Sequence, residues 1–273
     1  MRVYISADME GISGIVSDKQ VTSGNSDYER ARKLMTKEVN TMVDALFFRG
    51  ANEIIVNDSH SSMDNILIED FDKRAELISG SPKPLGMMEG IDKTFDFCVF
   101  LGYHGRAGKK AAVMDHLYSS SAIFEARING EAVSEAGLNG RLAGYFGVPV
   151  AVVTGDQNAI CCSQKELNDH IGIQVKEAIG RNSAKLLPFS KVVKKIRDGV
   201  EEFFNKKDTL QPTLEKGEIN LEVEFNKTNM AEVAALIPGT ETIDGRTLSY
   251  KSSDYLEIYK TFRAMLGLAL TTN

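Results

Sequence analysis

Short apolar runs alternate with helical stripes along most of the chain, and together they set out its plan. Residues 3–7 are rich in β-favouring side chains and read as a strand buried on both faces. A polar loop follows through Asn25, with Ser26 or Asp27 as a cap for the next element. Apolar residues at Ala31, Leu34, Met35, Val39, Met42, Val43, Leu46 and Phe47 then draw a helical stripe, stopped by Gly50. Further buried strands are predicted over 53–56, 95–101 and 149–154, with a shorter one over 75–79 and a brief helix near 87–92. Asn129-Gly130 signals a hairpin turn, after which a helix carrying Ser134-Glu135 runs to Tyr145. Helices are expected over 159–169, 189–206, 230–236 and 253–271, an extended piece over 171–179, and a charged surface loop over 206–217. The run 219–225 alternates apolar and polar residues, which suits a one-sided antiparallel strand, and 247–251 suits an edge strand.

This order predicts an α/β fold: a mostly parallel central sheet flanked by helices, with a smaller α+β portion supplied mainly by the C-terminal third. The expected division is 1–190 for the α/β part and 191–273 for the rest. Its boundary is soft, and the two parts are free to intertwine.

Composition narrows the functional classes. With 273 residues, 42% hydrophobic and 26% charged, the chain is an ordinary globular sequence with a substantial core. A net charge of -6 and the lack of a basic run with interleaved aromatics argue against a nucleic-acid partner. No stretch approaches the ~20 apolar residues of a membrane span, so no membrane partner is expected. Met1-Arg2 leads straight into a strand rather than a signal sequence, and three cysteines cannot all pair, so a cytoplasmic protein with free thiols is expected.

The chemistry gathers at strand ends. Asp8 and Glu10 follow the first strand, and in extended chain residues i and i+2 point the same way, with Cα atoms roughly 6.5 Å apart. Two like charges at the mouth of a core strand repel and lose solvation unless a cation lies between them. His60 and His104, two of only four histidines, each stand just beyond another apolar strand. In an open α/β sheet, ligand groups collect outside the carboxyl ends of the strands. Carboxylates with imidazoles suit Zn²⁺, and less specifically Mn²⁺ or Co²⁺. One zinc needs three such groups and a water. Here there are four, with Glu135 as the best fifth, enough for two ions ~3.5–4 Å apart with one carboxylate bridging. Two divalent ions would balance three carboxylates and one hydroxide, which lets such a site be buried.

Five segments carry a resemblance: DMEGISG at 8–14, VNDSHS at 56–61, LGYHGRA at 101–107, VMDH at 113–116 and IPGTE at 237–241. In this order, over nearly the whole chain, the sequence resembles the dipeptide-operon D-aminopeptidase family of zinc peptidases. The resemblance implies a two-zinc centre held by Asp8 (bridging), Glu10, His60, His104 and Glu135, a histidine at the substrate, here His116, and a decameric ring with an internal chamber. The loop from His104 to His116 is one residue longer than the family pattern, and Ser-Glu-Ala-Gly-Leu-Asn at 134–139 replaces Gly-Glu-Leu-Gly-Leu-Asn, differences that bear on the substrate pocket more than on the metals.

The expected activity is hydrolysis of short peptides with N-terminal D-residues such as D-Ala. His116 is open to three roles: oxyanion stabiliser, proton shuttle or nucleophile. Arg106 is a candidate for gripping a substrate carboxylate, or else pairs with a surface acid, and Asn139 is a candidate for binding the substrate backbone. Asp58 and Asp156 are candidates to orient a ligand, or serve as helix caps. The rival readings are a two-metal phosphatase or phosphodiesterase, with Lys109 and Lys110 facing phosphate, and a non-catalytic peptide-binding protein.

Overall fold

The computed structural model describes residues 1–272. Its strands, in chain order, are β1 (Arg2–Ala7), β2 (Glu53–Asp58), β3 (Glu76–Ile78), β4 (Phe97–Tyr103), β5 (Ile123–Ile128), β6 (Glu131–Ala132), β7 (Val150–Gly155), β8 (Ile171–Gln174), β9 (Lys176–Gly180), β10 (Ser183–Leu186), β11 (Ile219–Phe225), β12 (Glu241–Thr242) and β13 (Thr247–Ser252). The α-helices are α1 (Asp18–Val21), α2 (Ser26–Phe48), α3 (Glu135–Tyr145), α4 (Gln157–Glu166), α5 (Phe189–Lys206), α6 (Thr228–Ala234) and α7 (Tyr255–Leu270).

The apolar runs form one parallel sheet in the order β3-β2-β1-β4-β7-β8. Alternation along β1 divides its side chains between two cores. Val3, Ile5 and Ala7 pack with the apolar faces of α2 and α5. Tyr4 joins a second cluster with α3, α7 and the antiparallel sheet β12-β13-β11-β5-β6. The strand order reverses direction at β1, between β2 on one side and β4 on the other. That reversal opens a crevice at the carboxyl edge, where ligands of such sheets bind.

The antiparallel sheet draws β5 and β6 from before residue 190, while α5, which follows it, packs against α2 and β8. The two sheets thus exchange chain segments. The Asn129-Gly130 turn has φ of 53° and 84° and joins β5 to β6, as its sequence predicts. Three local expectations change. The polar loop before Asn25 contains the single turn α1, whose capping box pairs Ser17 with Gln20. The helix near 87–92 is a short 3-10 turn over Gly86–Met88. β13 is not an edge, because β12 pairs along its outer side. Two residues of cover are too short to leave a periodic signal in the sequence.

Two glycines set how closely the strand ends approach. A Cβ on Gly11 would overlap the backbone of Gly102 and Tyr103, and one on Gly102 (φ +73°) would overlap the carbonyl oxygen of Asp8. The loop after β1 therefore lies directly on the end of β4, with Gly11 N donating to Gly102 O at 2.7 Å and Asp8 N to Leu101 O at 2.8 Å. Gly102→Ala is expected to cost about 1–3 kcal/mol from overlap alone, and to lower the metal bound per chain by parting Asp8 from His104. Gly217→Ala is the control, with similar φ (+75°) and nothing within 4 Å. Thermal melts and metal analysis of the two variants check this, the Tm falling by several degrees more for Gly102→Ala.

Candidate metal centre

The strand ends bring together the residues that the sequence singled out. Asp8 and Glu10 follow β1, His60 lies two residues past β2, His104 immediately follows β4, and Glu135 opens α3. Ser134 caps that helix, its Oγ accepting from Gly137 N at 3.2 Å and donating to Glu166 Oε2 at 2.7 Å. All five residues are at most 7% exposed.

Two triads share Asp8. His60 Nδ1 lies 3.4 Å from Asp8 Oδ1 and 3.0 Å from Glu10 Oε2. His104 Nε2 lies 3.5 Å from Asp8 Oδ2 and 3.3 Å from Glu135 Oε2. Although these separations are short, Asp8 Oδ2, Glu10 Oε2 and His104 Nε2 are buried without a well-aligned hydrogen bond among the described residues. Ligand atoms of Asp8, Glu10 and His104 all fall within 4.8 Å of one another, as do those of His104, His116 and Glu135. Buried, unpaired and convergent lone pairs are what a cation requires.

The outer side of each ring is already committed. His60 Nε2 meets Val21 O at 2.8 Å, and His104 Nδ1 meets Gly105 O at 3.0 Å. A carbonyl there takes the ring N–H and turns the other nitrogen inward as a ligand. The protonation balance fits the same conclusion. Burial, then the Glu10 charge, raises Asp8 to about 8. Burial would lower both histidines, but the facing carboxylates outweigh it. His60 is held well above its usual value, chiefly by Glu10, and His104 is pushed up to about 10, chiefly by Glu135. For Glu10 and Glu135 burial is outweighed by the imidazoles, and both fall below the usual range. Protons thus occupy the positions that a cation would take.

His116 arrives on the loop between β4 and β5. Its ring stacks on His104 at 4.2 Å between centroids and 9° between planes. Its Nδ1 donates to Met114 O at 2.8 Å, and its Nε2 lies 3.7 Å from Glu135 Oε1. Burial and the neighbouring His104 lower its pKa. The loop carries left-handed backbone at Ala111, Met114 and Tyr118, a conformation that costs of order 1 kcal/mol or more at each residue.

Four other candidates take different places. Asp58 accepts from Asn65 N at 2.6 Å, Asn65 Nδ2 at 2.8 Å and Ile66 N at 2.7 Å, which pins the loop that carries His60. Asp156 caps α4 and also accepts from Val113 N at 2.8 Å, anchoring the approach to His116. Arg106 is paired with Glu125 at 2.8 Å. Asn139 is wholly buried, its amide donating to Tyr103 Oη at 2.9 Å and accepting from Tyr118 at 2.7 Å and Tyr259 at 3.0 Å. Asn139 orders tyrosines beneath the site and is not among the residues lining the two cavities beside the candidate ligands.

Two buried lysines went unnoticed in the sequence. Lys176 Nζ donates to the carbonyls of Glu10, Ile12 (3.0 Å) and Ile15 (2.6 Å), clamping the loop that presents Glu10. Lys83 Nζ donates to Asn57 Oδ1 at 2.6 Å and Asp58 O at 2.8 Å, just before His60. Burial pulls each ammonium down to about 8. Neither stands in a recognisable motif, so no local signal marks them.

A closed cage of carboxylates and imidazoles at the crevice of a doubly wound sheet places the chain among metal-binding α/β proteins. The D-aminopeptidase family of peptidases matches residues 1–264, and the chain belongs to that family. It is 39% identical to a D-aminopeptidase of Bacillus subtilis (strain 168) over 277 residues, covering 100% of this chain and 99% of the relative. It also superposes with a TM-score of 0.95 on the solved structure of the Zn-dependent D-aminopeptidase DppA from Bacillus subtilis, a self-compartmentalizing protease, at 38% identity over 99% of this chain and 98% of that one. Membership of a peptidase family disfavours both the phosphoesterase and the non-catalytic binder. Among the described residues, no helix is long and apolar enough to cross a membrane.

A cation must displace the protons held by Asp8, His60 and His104. Zinc added to metal-stripped protein is therefore expected to release protons and to bind more tightly as pH rises from about 6 to about 8, by up to about tenfold per unit for each proton displaced. Calorimetric titrations in buffers of different ionisation enthalpy measure both. Affinity independent of pH would contradict a protonated cluster.

Proposed function

We propose that the chain is a two-zinc aminopeptidase that removes N-terminal D-residues, D-Ala among them, from short peptides. The observation that carries the two-ion part is the shared aspartate, with Oδ1 in the triad of Glu10 and His60 and Oδ2 in the triad of His104 and Glu135. In this reading Asp8, Glu10 and His60 hold one ion, and Asp8, His104 and Glu135 hold the other. Bound there, the pair supplies Lewis acidity: it polarises a carbonyl and makes a water more acidic.

The protein's own groups supply the proton traffic. Met114 O holds the Nδ1 proton of His116, so the neutral ring presents the Nε2 lone pair toward Glu135 and the cavity. Its lowered pKa keeps that nitrogen unprotonated at neutral pH, ready to take a proton and pass it to the departing amine. Tyr118 N donates to Glu135 Oε1 at 2.6 Å and fixes the carboxylate's orientation. The cavity beside these groups holds about 300 Å³, at the small end for ligand sites, which favours short peptides.

The D-residue preference rests on the family and on the named relatives. Assembly into a ring of ten is the oligomer we favour, consistent with the relative described as self-compartmentalizing and with large apolar side chains left bare on this chain, such as Phe48 (85% exposed) and Leu236 (75%). A cytoplasmic location accords with three free cysteines.

His116→Ala is expected to lower kcat by about 10²–10⁴-fold while the zinc per chain stays the same; loss of an ion instead would make His116 a ligand. Dipeptides with N-terminal D-Ala should turn over and their L-counterparts and aryl phosphates should not, as a chromogenic and chromatographic panel will show. Analytical ultracentrifugation should find a particle of ten times the 30.0 kDa chain mass.

A further inference from the structure

An arginine on the C-terminal helix stands in the wall of the same cavity without an ion-pair partner among the described residues. Arg263, on α7, lines the space that also contains Asp8, Glu10, His60, His116 and Glu135. Its Nε is buried without a hydrogen-bond partner, and the guanidinium has no ion pair among the described residues. Its one specific contact is with the ring of Tyr118, 5.5 Å from Cζ to the centroid. Tyr118 is the residue whose N–H holds Glu135. The guanidinium lies against Gly86, where backbone at φ +54° leaves out a Cβ that would come within 2.8 Å of Cζ. The cradle holds a guanidinium that makes no hydrogen bond or ion pair among the described residues.

That is an unusual state for arginine. Guanidinium carries five donors in a fixed fork, and leaving a buried donor unpaired is costly. The other two arginines around the site are satisfied: Arg106 by Glu125 at 2.8 Å and Arg181 by Asp115 at 3.1 Å. Among the described residues Arg263 is thus an unpaired guanidinium lining the cavity, and a carboxylate is the ligand that a planar fork fits in two-pronged fashion. The cavity wall also includes the apolar Met63, Met87, Leu266 and Leu270, which suit a small side chain of the same ligand.

We propose that Arg263 receives the free C-terminal carboxylate of the substrate and so restricts the enzyme to short, unblocked peptides. The assignment rests on the peptidase reading above. It makes Arg263 a specificity determinant: the carboxylate is gripped at this wall while the N-terminal residue faces the metal ligands. Two residues of extended chain span roughly 7 Å, so each added residue moves the carboxylate away from the fork unless the chain buckles.

The test compares D-Ala-D-Ala with its C-terminal amide in the wild type, Arg263→Met and Arg263→Lys, each loaded with zinc and assayed for zinc content. The wild type should prefer the acid. Arg263→Met should lower the acid-to-amide ratio of kcat/KM by about 10- to 100-fold, mainly through KM, and Arg263→Lys by less, since it keeps the charge and loses the fork. Calorimetry of D-Ala-D-Ala on metal-free protein gives a second reading, with binding weakened in the same order. An acid-to-amide ratio that is equal in wild type and Arg263→Met overturns the assignment and leaves the peptidase reading intact. So does a wild type that cleaves the amide as well as the acid. A wild type that cleaves neither overturns both.

Discussion

Three carboxylates held a few ångströms apart and out of water form the constraint to which the rest of the molecule answers. Asp8, Glu10 and Glu135 are each less than 5% exposed. Ionised together without counter-charge they would cost several kcal/mol apiece. The two facing histidines provide the counter-charge as imidazolium, and a pair of divalent cations would provide more of it at shorter range. The cluster is therefore poised between protons and metal, and the surrounding structure keeps it from relaxing into solvent.

Most of the buried polar groups nearby serve that restraint. Lys176 ties down the loop after β1, and Lys83 the end of β2. Asp58 holds the turn after His60, Asp156 the approach to His116, and Asn139 the tyrosines under the cavity. Each fixes the backbone from which a ligand projects, which matters because a displacement of 1 Å in a ligand is enough to spoil a metal or catalytic geometry.

The parallel sheet explains why such distant segments meet. Its strands start from different parts of the chain yet end at one edge, and the reversal at β1 leaves the gap into which Asp8, His60 and His104 project. The antiparallel sheet and α7 then close over the other core and bring Arg263 to the same cavity. That second layer also contributes Glu135, from the start of α3.

The sequence by itself determined the long apolar strands and the groups at their ends. A buried apolar run followed by Asp-x-Glu or His leaves few other readings, because period-two geometry and burial fix where those side chains point. Helix 26–48 and the Asn-Gly hairpin were legible for the same local reason. Tertiary structure alone decided the partners. Arg106 and Arg263 look alike in sequence, yet one is neutralised by Glu125, 19 residues away, and the other has no ion pair among the described residues. Asn139, a plausible substrate contact on paper, is sealed in by tyrosines from three separate segments. Lys176 finds its carbonyls more than 160 residues back along the chain. Local propensity carries no record of such encounters, since pairing between remote segments is set by how the layers pack.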